Sequence, residues 1–130
     1  MDTSVARGGA THDGDDPIAA YEWAADEAMR EWETPGALDK TLQLPLGSTP
    51  AQTGIKIFTA DQAIHALDLA KAIGRPHQID EAVAAQIYET MQALLRPEFR
   101  GPGKAFSELQ PVPDDAPIQD RMLAFSGRRP

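Results

Sequence analysis

The chain has 130 residues, 12 Lys and Arg against 20 Asp and Glu for a formal net charge of -8, and no cysteine. Its 42% hydrophobic and 25% charged residues give a globular balance, and the length fits one domain with a modest core. The acidic surplus argues against nucleic acid and anionic membranes as partners, since both require clustered Lys and Arg, and the absent thiols exclude disulfides, a cysteine nucleophile and thiolate metal sites.

Residues 1–14, MDTSVARGGATHDG, show no periodicity and read as a disordered tail before a domain over 15–130. Asp15-Asp16-Pro17 combines an Asp cap with Pro at the first helical position. The helix it opens places Ile18, Tyr21, Ala25, Ala28 and Trp32 on one face for burial and turns Glu22, Asp26 and Arg30 outward, before Pro35-Gly36 stops it. Leu38 to Leu44 alternates apolar and polar residues up to Pro45, which predicts a short extended connector, too isolated to form a sheet. Ser48-Thr49-Pro50 repeats the cap-then-Pro signal and opens the longest helix, to about Ile73, with Lys71 in its last turn and Gly74 as its stop. After the turn Arg75-Pro76-His77-Gln78, Asp80 caps a third helix with Val83, Ile87, Met91 and Leu94 on one face, ended by Arg96-Pro97. Residues 97–116, broken by four prolines and two glycines, form a long irregular excursion. A short helix from about Pro117 to Phe125 then buries Ile118, Met122, Leu123 and Phe125.

Three substantial helices and a short fourth, without convincing strand pairs, predict an all-α helical bundle with one extended connector. No apolar run approaches the roughly 20 residues of a bilayer span, and nothing resembles a signal peptide, so the chain reads as soluble and cytoplasmic. Gly101-Pro102-Gly103-Lys104 lacks the frame of a phosphate loop, and Ser48, Ser107 and Ser126 have no His–acid pair at motif spacing. Trp23 and Trp32 on the first helix read as packing residues.

The long helix carries the one polar constellation of interest, in TADQAIHALDLAKAIG. At about 100° per residue, Asp61 and His65 stack one above the other and Asp68 falls about 20° from Asp61. Ile57, Phe58, Ile64 and Leu69 share the arc, so the stripe is expected to face apolar surroundings, where charge needs a partner. An acid and a His four residues apart can share a metal ion, but two ligands do not complete a site. The spacing serves a hydrogen-bonded Asp61–His65–Asp68 cluster equally well. His12 in the tail and His77 in a turn read as solvent-exposed.

The run LPLGSTPAQTGIKIFTADQAIHALDLAKAIGR resembles the ligand helix of the DinB-like, mycothiol-dependent maleylpyruvate isomerase superfamily, and more narrowly an actinobacterial group of metal-binding proteins within it. The matching positions are Leu44-Pro45-Leu46-Gly47, Asp61, His65, Asp68-Leu69-Ala70, Ala72 and Gly74. Pro111 to Pro117, Asp120 to Phe125 and Gly127-Arg128 match downstream, and Asp15-Asp16-Pro17 through Trp32 with Pro35 to Leu38 match upstream. The resemblance covers about residues 14–130. It implies an up-down four-helix bundle holding a divalent ion, zinc or nickel, with Asp61 and His65 as ligands. Asp68 would orient His65 or balance charge, and mycothiol would be the thiol co-substrate of any transferase or isomerase activity. The family's third ligand is a His on an early helix, in a segment preceding everything matched here, and His12 does not take that role. The resemblance therefore implies a bundle incomplete at its N-terminus, either a truncated gene product or, as we expect, a homodimer in which a second copy supplies the missing surface. A small-molecule ligand in the bundle cavity, and a non-catalytic scaffold that has lost its metal, are the alternatives.

Overall fold

The computed structural model describes residues 16–45 and 47–130. His12 and the expected tail lie outside the described residues. The chain divides into two compact units, residues 1–54 and 55–130.

The first unit begins with α1, Pro17–Glu33. Asp16 caps it as the sequence predicts: its carboxylate accepts from the backbone N–H of Ile18 at 3.0 Å and of Ala19 at 3.1 Å. At the other end Gly36, at φ +79°, leads into a 3-10 turn over Ala37–Asp39. The expected burial of the α1 face does not occur. Ile18 and Tyr21 are 69% and 67% exposed, Ala28 is exposed, and Ala25 and Trp32 are only half-buried. A helix can bury an apolar stripe only against another element of comparable length, and the main neighbour of α1 among the described elements of this unit is the three-residue turn.

The connector is also more than a connector. β1, Thr41–Leu44, pairs antiparallel with β2, Gly47–Pro50, in a two-stranded hairpin, so Ser48-Thr49-Pro50 forms strand where the sequence pattern predicts a helix start. The capping hydroxyl has a stronger alternative across the strands: opposite Gln43, the Ser48 hydroxyl accepts from Nε2 at 2.9 Å and donates to Oε1 at 3.0 Å. The backbone N–H of Ala51 donates to the carbonyl of Lys40 at 2.9 Å, which closes the open end of the hairpin and starts α2, Ala51–Ala72. Gly54, in the first turn of α2, lets Leu42 close in; a Cβ there would stand 2.5 Å from Leu42 Cδ1.

The second unit holds the rest of α2 with α3, Glu81–Leu94, and α4, Ile118–Phe125. Its core joins Ala60, Ile64 and Leu67 of α2, Ala84, Ile87 and Met91 of α3, and Met122 of α4. Full burial of side chains as large as Ile87 and Met122 is worth about 1.5–3 kcal/mol each. Asp80 caps α3 as predicted, accepting from the N–H of Ala82 and Val83 at 2.9 and 3.2 Å. Leu94, expected on the buried face, is 41% exposed; Met91 in the same turn and Leu95 just after it pack against the core instead.

Gln119 fastens the turn before α3 to α4, accepting from the N–H of Ile79 at 3.0 Å and donating to the carbonyl of His77 at 3.1 Å. The excursion over 97–116 is irregular, as expected, apart from a 3-10 turn over Pro97–Phe99, and its Arg100 lies against an aromatic pair of α3 and α4. Arg100 lies 4.7 Å over the Phe125 ring, Phe125 meets Tyr88 edge-on at 5.5 Å, and Arg121 covers Tyr88 at 5.3 Å. Among the described residues, four α-helices and one small hairpin make up the regular structure besides short 3-10 turns, and no helix is long and apolar enough to cross a membrane.

Candidate metal-binding site on the second helix

α2 brings Asp61, His65 and Asp68 together as the spacing predicts, but not among apolar side chains. Their side chains are 54%, 63% and 40% exposed. The reason is angular. The buried row Ala60, Ile64 and Leu67 lies about 100° around the helix from the centre of the polar stripe, so the stripe sits beyond the edge of the core face. Of the four apolar residues expected to surround it, only Ile64 is buried; Ile57 is half-buried, and Phe58 and Leu69 are exposed.

Both ring nitrogens of His65 meet carboxylates. Nε2 lies 3.4 Å from Asp61 Oδ1, and Nδ1 is hydrogen-bonded to Asp68 Oδ2 at 3.1 Å. Asp68 has a further partner that its position on the helix does not reveal. Arg128 donates from Nε to Oδ1 at 2.7 Å and from Nη2 to Oδ2 at 2.8 Å, a two-pronged contact across 60 residues of sequence. The Arg128 hydrogen bonds weigh most in holding the Asp68 carboxyl below the ordinary Asp range; partial burial pushes upward next, and the His65 hydrogen bond and the charges of Arg128 and His65 add smaller downward pulls.

The chain end is built to place that arginine. α4 finishes in a Schellman motif: the N–H of Gly127 donates to the carbonyl of Ala124 at 3.1 Å, and that of Arg128 to Leu123 at 3.0 Å. Gly127 is at φ +86°, and a Cβ there would stand 2.7 Å from the Ser107 carbonyl oxygen, so glycine is required twice over. Lys71, also on α2, donates to the carbonyl of Arg129 at 2.6 Å and fixes the same segment. The one sequence signal for this arrangement is the Gly-Arg pair just past a helix end, which marks a cap but not a destination.

With Asp68 neutralised by Arg128, the outward part of the cluster is Asp61 and His65 Nε2. For a tetrahedral ion with bonds of about 2.0–2.1 Å, two donor atoms stand about 3.3–3.4 Å apart. The Nε2–Oδ1 separation of 3.4 Å fits two corners of such a site. Among the described residues no three His, Asp or Glu side chains form a group that could hold a metal ion. His77 lines a shallow, open hollow of about 300 Å³ with Leu69, Ile73, Arg75 and others, and does not join the stripe.

Two uncharacterised proteins of Mycobacterium tuberculosis, one from strain CDC 1551 and one from strain H37Rv, are each 40% identical to the chain over 111 residues, 85% of its length. Those residues make up 61% of each relative, so the chain spans about three-fifths of the length of the curated relatives it matches. No family model matches the chain, and no solved structure does.

Proposed function

We propose that the chain is a divalent-metal-binding protein of DinB-like type, related to mycothiol-dependent transferases and isomerases, in which Asp61 and His65 supply two ligands. The observation that carries this reading is the 3.4 Å separation of His65 Nε2 and Asp61 Oδ1 on an exposed helix face, next to an Asp68 already neutralised by Arg128. With neutral His65 the four-residue cluster has a net charge of -1 on its solvent side, which favours a cation. Asp61 and His65 bind and orient; Asp68 holds the ring from behind. A zinc or nickel ion there would act as a Lewis acid that lowers the pKa of an incoming thiol such as mycothiol. In this reading a second copy of the chain supplies the completing donor across a homodimer.

Elemental analysis of untagged protein tests the proposal. Zinc or nickel approaching one equivalent per subunit is expected, falling at least tenfold in Asp61→Ala and His65→Ala. Less than about a tenth of an equivalent, unchanged by His65→Ala, would sink it. Sedimentation equilibrium with and without a chelator tests the shared site, and a monomer fully loaded with metal would exclude completion by a second copy.

A second reading, a helical binding or scaffold protein without metal, is favoured by the absence of a three-donor group among the described residues. It predicts that the double change Asp61→Asn with His65→Gln shifts the melting temperature equally with and without a chelator, since bound metal would otherwise stabilise by mass action.

A further inference from the structure

Arg128 and Asp68 are joined by the two arms of the guanidinium, at 2.7 and 2.8 Å, and the arginine side chain is only 29% exposed. Two parallel hydrogen bonds fix the plane of the carboxylate as well as its position, which a single contact or a flexible ammonium would not do. The same oxygen that takes the Nη2 bond also accepts from His65 Nδ1 at 3.1 Å. An ionised carboxylate has no hydrogen to donate, so the ring nitrogen it faces must carry the proton. In the neutral imidazole the other nitrogen is then a bare lone pair. That nitrogen is Nε2, beside Asp61.

We infer that Arg128 is a positioning residue: by clamping Asp68 it holds the His65 proton on Nδ1 and presents Nε2, unprotonated, beside Asp61. The value of that arrangement rests on the metal-binding reading, because a ligand nitrogen must be unprotonated. The clamp itself belongs to the metal-free chain and is measurable there. Asp61 competes for the proton from the other side, but it stands farther away, at 3.4 Å, and is more exposed than Asp68. A point mutation 60 residues from the ligand helix should therefore change which nitrogen of His65 bears hydrogen.

Long-range proton–nitrogen correlation spectra of metal-free, nitrogen-15-labelled protein at about pH 8 test this, with the His65 signals assigned by their loss in His65→Gln. Wild type should show a protonated Nδ1 and a bare Nε2. Arg128→Gln should move the ring toward the Nε2–H form that a free imidazole prefers, and Arg128→Lys, which keeps charge but not the fork, should fall between. If circular dichroism shows that Arg128→Gln has lost helix, Arg128→Lys decides on the same readout. A wild-type ring protonated on Nε2, or one unchanged by either substitution, would overturn the inference. Zinc titration separates the two readings. With both correct, Arg128→Gln weakens binding about 10- to 100-fold, the usual effect of removing a group that orients a ligand. If no form binds zinc but the ring responds as described, the clamp stands and the metal reading fails. If zinc binding needs His65 but neither ring nor affinity responds to Arg128, the metal reading stands and the clamp fails.

Discussion

Asp68 accepts from Arg128 on both oxygens and from His65 on one, and these contacts hold its pKa below the ordinary Asp range. A carboxyl whose pKa is lower folded than unfolded contributes its full stability above the unfolded value, near pH 4. The contribution is lost as pH falls through the depressed folded value. Asp68→Asn should therefore lie a constant few degrees below wild type in melting temperature between about pH 5 and pH 8. The gap should close progressively below about pH 4. A gap that persists unchanged at about pH 3 would show that the carboxylate is not the source. The magnitude is small, about 0.5–1 kcal/mol, because the pair is partly solvated. Asp61→Ala and His65→Ala, at exposed positions, should each change metal-free stability by no more than about 0.5 kcal/mol, measured by urea denaturation. Loss of metal in those variants could then not be blamed on unfolding. Sequence spacing was sufficient to bring Asp61, His65 and Asp68 together, since three residues on one helix need only its periodicity. It was insufficient for Arg128, whose partner lies 60 residues away and depends on how α4 ends.

α2 and α4 close with the same motif in different surroundings. Gly74, at φ +67°, and Gly127, at φ +86°, each take the left-handed position of a Schellman cap. Nothing lies within 4 Å of a Cβ built on Gly74, whereas one on Gly127 meets the Ser107 carbonyl oxygen at 2.7 Å. Gly74→Ala should cost only the backbone conformation, about 1 kcal/mol. Gly127→Ala adds a collision with backbone and should cost at least about 2 kcal/mol by denaturant unfolding, while also displacing Arg128 from Asp68. Equal costs would mean that the Ser107 segment yields freely. Helix ends were the most legible elements of this chain. Asp16, Gly74 and Asp80 act where the sequence places them, because a cap needs only its immediate neighbours. The hairpin was not legible. Ser48 as a cap and Ser48 as a cross-strand partner of Gln43 share one local sequence, and the pairing that decides between them is non-local.

For the molecule as a whole, helical periodicity foretold the core of the second unit and failed for the first. Ile87, Met91 and Met122 are buried as their spacing requires. Ile18 and Tyr21 have spacing just as regular but are exposed, because periodicity marks a face without supplying anything to cover it. Both tryptophans of the chain, Trp23 and Trp32, lie on α1, and none lies in residues 55–130. Indole emission therefore reports on the surroundings of α1, while the helical ellipticity at 222 nm comes mainly from residues 55–130. Among the described residues of the first unit the buried apolar side chains are Ala37 and Ala51, against the seven-residue core of the second. In urea the fluorescence transition should precede the ellipticity transition, and superimposed curves would show instead that the units unfold as one. The placement of both indoles thus gives α1 an optical signal of its own.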